Sequence, residues 1–155
     1  MLQGTPAPAA SAVTTAEILD QTPALRAYAT SLARRKPDAD DLYQETMTKA
    51  LSKRGQFRPG TNLRAWMFTI MRNTFRTSAM KAARERTGDG DCVSLDVISS
   101  PTQEWTVQGR EAMTAIHRLP QHYRTVLILV VVMGESYEDS ARICRCKVGT
   151  VKSRV

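Results

Sequence analysis

The 155 residues of this chain carry a net charge of +7 and only three cysteines, at positions 92, 144 and 146. The spacing of these cysteines and of the two histidines fits neither a disulfide framework nor a zinc site, so we expect reduced thiols in a cytosolic protein. No apolar run approaches the roughly 20 residues of a membrane span. No nucleophile–base set, phosphate loop or metal cluster indicates an enzyme, and neither a cofactor nor a metal is expected.

The positive charge is divided between two blocks. Residues 1–86 have a net charge of +7, residues 87–103 of −3 and residues 104–155 of +3. Two basic blocks joined by an acidic strip suggest two contacts with a polyanion and a connector that avoids it. A solvated basic surface is the alternative interpretation.

Helical periodicity runs through most of the chain, and no segment alternates with period two, so an all-α fold is predicted. Residues 1–20 are predicted to form a disordered tail. A first helix begins at Thr22, with Pro23 in its first turn, and Pro37 ends it. A second starts at Asp38 or Asp40 and runs to about Lys53, and a third runs from about Asn62 to Arg84. The apolar stripe of the first helix is Leu25, Tyr28, Ala29 and Leu32.

Turn signals separate these three helices from a second set. Residues 87–102 contain Gly-Asp-Gly-Asp and Ser-Ser-Pro and are predicted to form a linker. Helical pattern resumes from about Gln103 to Arg118 and again from Gln121 to Met133, where Gly134 forms the C-cap. The prediction is two small helical domains, residues 21–86 and 103–155, that move independently in the free protein.

The last nineteen residues have the pattern of a helix-turn-helix. Tyr137–Cys144 is its first helix, residues 145–147 are the turn, and Val148–Val155 is a second helix with the three valines on its inner face. The other face carries hydroxyl and cationic groups suited to base edges and phosphates of a duplex. An ordinary helical hairpin with a solvated basic face is the alternative. The candidate duplex contacts are Tyr137, Lys147, Thr150, Lys152, Ser153 and Arg154.

The second predicted helix concentrates its carboxylates on one face. On a helical wheel, the apolar residues from Leu42 to Leu51 gather on one side, and Asp41, Gln44 and Glu45 gather on the other. Acidic residues that favour the helix dipole explain Asp40 and Asp41 well, but they explain Glu45, one turn further in, less well. A docking face for a basic protein partner accounts for all three side chains.

The third predicted helix and the loop before it combine cations, amides and aromatic rings. Cations hold phosphates, while amides and rings read or stack on bases, so this face is suited to nucleic acid. The loop at residues 53–60 could also receive a base turned out of its stack. Core positions are preferred for Phe68 and Phe75. The candidate contacts are Arg54, Phe57, Arg58, Asn62, Arg64, Trp66, Arg72, Asn73 and Arg76.

These motifs, in this order, resemble an extracytoplasmic-function (ECF) sigma factor of bacteria. The segment Asp41-Leu-Tyr-Gln-Glu-Thr is similar to the family segment that binds the clamp helices of core RNA polymerase. Residues 57–75 are similar to the segment that melts and reads the promoter minus-10 element. Leu119-Pro120 with the apolar helix after it, Ser136-Tyr-Glu, and residues 148–154 are similar to the domain that reads the minus-35 element.

Two short segments refine the resemblance. Gly60-Thr-Asn-Leu-Arg-Ala-Trp66 and the Cys-Arg-Cys before Val148 are most similar to the general-stress-response sigma subgroup of alphaproteobacteria. The family usually has Gly where Arg145 stands, which implies a positive φ at that residue. The family also continues beyond Val155 with a further basic turn, so weaker minus-35 binding is expected.

The resemblance implies a non-enzymatic transcription initiation factor made of sigma region 2 (residues 21–86) and sigma region 4 (residues 103–155). The implied partners are core RNA polymerase, promoter DNA and an anti-sigma factor, and the free protein is expected to be a monomer without a membrane partner. Two alternatives stay open. A sigma-mimicking protein that sequesters an anti-sigma factor does not need the basic third helix, and a simple helix-turn-helix regulator leaves residues 38–76 unexplained.

Overall fold

The computed structural model describes residues 13–33, 35–86 and 107–155, and every regular element in these ranges is helical. Within them no strand occurs, so the predicted all-α fold is confirmed. None of the described helices is long and apolar enough to cross a membrane. The predicted linker, residues 87–102, lies outside the described residues. The α-helices are α1 (Thr15–Asp20), α2 (Thr22–Leu32), α3 (Lys36–Ser52), α4 (Leu63–Arg86), α5 (Val107–Arg118), α6 (Gln121–Leu127), α7 (Tyr137–Cys144) and α8 (Val148–Lys152).

Proline marks the beginning of both α2 and α3. Helix α2 has Pro23 in its first turn and buries the predicted stripe of Leu25, Tyr28, Ala29 and Leu32. The prediction that Pro37 ends this helix is wrong, because α2 already ends at Leu32 and Pro37 lies in the first turn of α3. Proline is tolerated there because the first backbone N–H groups of a helix have no intrahelical acceptor.

The predicted disordered tail is wrong for residues 13–20, and residues 1–12 lie outside the described residues. Helix α1 is held by a capping box, in which the backbone N–H of Glu17 donates to Thr14 Oγ1 at 3.2 Å and that of Thr14 donates to Glu17 Oε2 at 2.7 Å. The hydrogen bond from the Thr14 backbone also lowers the pKa of Glu17. Ile18 of this helix is fully buried. Six residues are too few for periodicity to show, but Thr-x-x-Glu is a sequence signal for a helix start.

One hydrophobic core joins residues from both ends of the chain. Tyr28 of α2 packs on Phe68 of α4 with ring centroids 4.5 Å apart, so the core position predicted for Phe68 is confirmed. Ile128 and Leu129, from the π-helical turn Ile128–Val132 that continues α6, belong to the same core, as does Ile143 of α7. In this conformation α7 and the π-helical turn complete the core of the first helices, while independent movement of the two domains stays a prediction.

The terminal helix-turn-helix has the predicted first helix and turn but a shorter second helix. Helix α8 ends at Lys152, and the last turn tightens, with the backbone N–H of Arg154 donating to Val151 O at 3.0 Å. Val151 is buried beside Val126 and Ala141 in a small second core. Val155, predicted on the inner face, is 49% exposed, although its backbone N–H still donates to Val151 O at 3.2 Å.

Arg145 occupies the left-handed conformation that the family's usual Gly at this position implied. Its φ is +54° and its ψ is +48°. The backbone N–H of Cys146 donates to Ala141 O at 3.0 Å and that of Arg145 to Arg142 O at 3.2 Å, which together form a Schellman motif. A residue with a Cβ is strained in this conformation, whereas glycine is not.

Replacing Arg145 with Gly is therefore expected to raise the free energy of unfolding by about 0.5–1 kcal/mol, because relief of strain outweighs the added flexibility of the unfolded chain. Urea denaturation followed by circular dichroism measures the change. Arg145→Ala is the matched control, since it removes the same charge but retains the Cβ, and no gain is expected. An equal gain from Ala would assign the effect to charge and contradict the strain.

Candidate nucleic-acid interface

Helix α3 presents the predicted acidic face to solvent. Asp41, Gln44 and Glu45 are all exposed, while Leu42 and Met47 on the opposite side are buried against α2 and α4. The Lys49 ammonium donates to Glu45 Oε1 at 2.5 Å and to Thr74 Oγ1 of α4 at 3.1 Å. The three predicted side chains thus lie together, and Lys49, which the sequence reasoning did not include, ties the end of this face to α4.

The loop before α4 brings its aromatic ring against that helix. Phe57 is half-buried and its ring centroid lies 5.5 Å from that of Trp66, so the two aromatic residues support each other. The side chains of Arg54 and Arg58 are exposed, and Arg54 Nη1 donates to Thr15 Oγ1 of α1 at 3.3 Å. Cations therefore lie at the surface of the loop, with an aromatic pair beside them.

The first turn of α4 contacts the C-terminal helices through two of the predicted residues. Asn62 caps α4, since its Oδ1 accepts from the Ala65 N–H at 3.1 Å, and its Nδ2 donates to Asp139 Oδ2 at 3.0 Å. Arg64 donates from Nε to Glu135 Oε1 and from Nη2 to Met133 O, each at 2.5 Å. The side chains of Asn62 and Arg64 are thus hydrogen-bonded to residues just before and just after the start of α7.

The remaining predicted contacts on α4 are divided. Arg72 is half-buried, and its Nη1 donates to Ile143 O of α7 at 3.3 Å. Trp66 and Asn73 are half-buried, and Arg76 is exposed. The structure therefore does not place all the predicted nucleic-acid contacts on one open face, because α7 packs against the middle of the group.

The helix-turn-helix presents its predicted residues separately. Tyr137 at the start of α7 is 37% exposed. On the turn and α8, Lys147, Lys152 and Ser153 are exposed, and Thr150 and Arg154 are half-buried. Ser136 caps α7 by accepting from the Asp139 N–H at 3.0 Å, which sets the direction of the helix. The cationic face of α8 is thus accessible while α7 is packed on α4.

Glu135 and Asp139 are the functional candidates that the sequence reasoning missed. Glu135 follows Gly134, whose φ of +69° confirms the predicted C-cap, and its side chain is only 2% exposed. A carboxylate beside a turn has no sequence signal for a partner some seventy residues away. The sequence shows only that residue 135 is a carboxylate, and a carboxylate that becomes buried needs a cation beside it.

Two titratable groups at this junction, the half-buried Cys144 and the buried Tyr28, favour their neutral forms. Burial raises the pKa of the Cys144 thiol, although Arg72 beside it acts in the opposite direction. Burial also raises the pKa of the Tyr28 hydroxyl far above its usual value. A thiol held protonated is a poor nucleophile. Cys144 and Cys146 are both free, as predicted, while Cys92 lies outside the described residues.

Comparison with known proteins gives matches to both the N-terminal and the C-terminal helices of this chain. The family models for Sigma-70 region 2 and for Sigma-70, region 4 match residues 19–85 and 109–155. Over 139 residues the chain is 46% identical to the ECF RNA polymerase sigma factor EcfG of Rhodopseudomonas palustris, covering 90% of this chain and 77% of that protein. This chain belongs to the family of ECF RNA polymerase sigma factors.

Further relatives of this ECF sigma factor support the assignment. It is 33% identical to the RNA polymerase sigma-H factor of Pseudomonas aeruginosa, over 76% of this chain and 67% of that protein. Its fold is similar to that of the sigma factor RpoE from Bartonella quintana, solved in complex with the anti-sigma factor NepR. The TM-score is 0.81 at 42% identity, covering 90% of this chain and 88% of that one.

The predicted function is thereby confirmed. An ECF sigma factor directs core RNA polymerase to promoters and initiates transcription, and both the region 2 and the region 4 expected for it are present. The region 2 match also accounts for residues 38–76, which a simple helix-turn-helix regulator leaves unexplained.

Proposed function

We propose that this ECF sigma factor binds core RNA polymerase through the exposed face of α3. The observation that carries the proposal is the division of this helix, in which Asp41, Gln44 and Glu45 are exposed together while the opposite side is buried in the core. Acidic and amide groups held on a rigid helix suit a basic protein surface, since charge complementarity steers and orients association.

The promoter would be bound by two separate surfaces. The loop at residues 53–60 and α4 as far as Arg76 would hold the minus-10 element as a single strand, with Arg54, Arg58 and Arg76 on phosphates and the Phe57–Trp66 pair beside the bases. The start of α7 and the exposed side of α8 would read the minus-35 duplex. No chemistry is assigned to this chain itself, and its place of action is the cytoplasm, where core polymerase is found.

The conformation in which α7 packs on α4, termed the closed form, would have to open for the minus-10 contacts to be completed. The support is that Asn62, Arg64 and Arg72 are all bonded to the C-terminal helices here. An anti-sigma factor is the proposed partner of this form, because the similar RpoE was solved with the anti-sigma factor NepR. The resemblance of Gly60–Trp66 and of Cys144-Arg-Cys146 to the general-stress-response subgroup extends the proposal to a role in a stress response.

In vitro transcription tests the proposed function. Purified core RNA polymerase is incubated with a library of promoter fragments, with and without this chain, and the transcripts are sequenced. Specific transcripts that start at a common promoter pattern only when the chain is present would support the proposal. Transcription that does not depend on the chain would contradict it.

Reversing the charge at Asp41 and Glu45 to Lys is expected to weaken binding to core polymerase by at least about tenfold, since like charges across an interface are strongly unfavourable. Both side chains are exposed, so the helical content should be unchanged. A fluorescence titration with core polymerase measures the affinity. The control is D20K/E85K, with the same charge change at exposed positions on α1 and α4 outside this face. Equal affinities for the two variants would remove the assignment of α3.

A further inference from the structure

Two carboxylates of region 4 bind two adjacent polar groups of the proposed minus-10 face. Glu135 accepts from Arg64, and Asp139 accepts from Asn62. Asn62 and Arg64 both lie at the start of α4, and the two acids lie one helical turn apart in sequence. The two carboxylates thus lie opposite the two donor side chains at the start of α4.

The geometry at Glu135 is that of a specific contact. The Glu135 side chain is 2% exposed, whereas that of Arg64 is 37% exposed. The guanidinium group also donates to Met133 O, so it is held by both a carboxylate and a carbonyl of the same segment. Glu135 is positioned by its own N–H, which donates to Leu129 O at 2.9 Å across the turn at Gly134. A buried carboxylate placed in this way depends on its cation.

The Asp139 carboxylate is held in place from its own helix. The Ser136 hydroxyl lies 3.1 Å from Asp139 Oδ2, and the Arg142 guanidinium lies 2.8 Å from Oδ1. Asp139 therefore presents a fixed oxygen to the Asn62 amide. Beside both pairs, a cleft lined by Asn62, Arg64, Glu135 and Asp139 opens to solvent, which gives a polyanion access to the contact.

Carboxylate and phosphate oxygens are recognised by the same donors. A guanidinium group binds either anion with the same fork of N–H groups, and an amide donates to either. The oxygens of Glu135 and Asp139 thus satisfy the donors that the proposed function assigns to the backbone of the minus-10 strand. An N–H group that bonds to Glu135 or Asp139 is not available to a phosphate oxygen at the same time.

We propose that Glu135 and Asp139 form an acidic latch, which occupies the minus-10 contacts Asn62 and Arg64 so that region 4 and single-stranded promoter DNA compete for them. This inference rests on the proposed function, because it concerns the same face of α4. The latch leaves the duplex-reading side chains free, since Lys147, Lys152 and Ser153 stay exposed in the closed form. Strand binding at α4 is therefore coupled to release of α7, while duplex binding at α8 is not.

The latch is tested in the full chain with E135Q/D139N, which removes both charges while preserving the shapes of the side chains. The matched control is E111Q/E138Q, with the same charge change at exposed positions on α5 and α7. The probe is a fluorescein-labelled, single-stranded DNA pool of about twelve randomised nucleotides, a length that an α4-sized basic face can cover. Fluorescence anisotropy measures its affinity, and small-angle X-ray scattering measures the radius of gyration.

The latch variant is expected to bind the DNA pool about tenfold more tightly than the control, because affinity rises as the competent fraction rises. Its radius of gyration should also exceed that of the control. The single variant E135Q, measured in parallel, should change both in the same direction by less. Affinity equal to that of the control in both the double and the single variant would overturn the latch.

The charge swap R64E/E135R provides a second, independent reading. It re-forms the ion pair in reverse, so scattering should be as compact as in the unmodified chain, while DNA binding should be weaker because the cation on α4 is lost. A swap variant as expanded as E135Q/D139N would also overturn the latch. None of these measurements contains polymerase, so a failure of the proposed transcription activity would appear only in the promoter-library experiment.

Discussion

Replacing Phe68 with Ala is expected to lower the free energy of unfolding by about 3–5 kcal/mol, the usual cost of truncating a buried Phe. The ring is fully buried, packs 4.5 Å from the Tyr28 ring, and has the Arg64 guanidinium 5.7 Å from its centroid. Truncation would therefore leave a cavity between α2 and α4, directly below the residue that binds region 4. Domains of this size are stable by only about 5–15 kcal/mol, so much of the stability would be lost.

Urea unfolding followed by circular dichroism measures the effect of this substitution. Met80→Ala on the same helix is the control, since Met80 is 54% exposed and its truncation should change stability by no more than about 0.5 kcal/mol. A loss at Phe68 as small as that at Met80 would show that the ring does not lie in the core.

Replacing Arg64 with Ala is expected to destabilise the closed chain by about 2–3 kcal/mol. The substitution leaves the carboxylate of Glu135 buried without its cation, which costs about 3–5 kcal/mol for a fully buried pair. The lower figure follows because the Arg64 side chain is 37% exposed. Arg58→Ala removes an exposed cation from the preceding loop and is expected to change stability by no more than about 0.5 kcal/mol.

A double-mutant cycle separates this contact from other effects of the substitution. The variants R64A, E135Q and R64A/E135Q are compared by urea unfolding. E135Q neutralises the carboxylate that R64A leaves unpaired. The double variant should therefore lose less free energy of unfolding than the two single variants lose in sum, by at least about 1 kcal/mol. Strictly additive losses would mean that Arg64 and Glu135 do not interact in solution.

The exposed face of the long helix α3 was predicted well because it depends on local spacing. The acidic face of α3 followed from a periodicity of 3.6 residues, and the structure exposes Asp41, Gln44 and Glu45 together. The positive φ at Arg145 followed from the family resemblance, because the family usually has Gly at this position. Each of these features involves residues within a few positions of one another.

Short elements were predicted less well because few residues carry their signal. Helix α1 has six residues, and only the capping pair of Thr14 and Glu17 indicates it. Helix α8 ends at Lys152, and beyond it an i to i+3 hydrogen bond from Arg154 to Val151 stands between two i to i+4 bonds, a detail that apolar spacing does not show. Such boundaries depend on the balance between a few hydrogen bonds and fraying.

The sequence by itself determined which side chains each helix offers and, through its motifs, the sigma factor family. Only the tertiary structure decided which of these side chains are engaged, since Asn62 and Asp139 are 77 positions apart and Arg64 and Glu135 are 71 positions apart. Hydrophobic periodicity specifies the face that each helix buries but not the helix that covers it. The shared core of Tyr28, Phe68 and Ile143 makes that choice, and by packing α7 on α4 it places two acids against two donors that we propose bind the minus-10 strand.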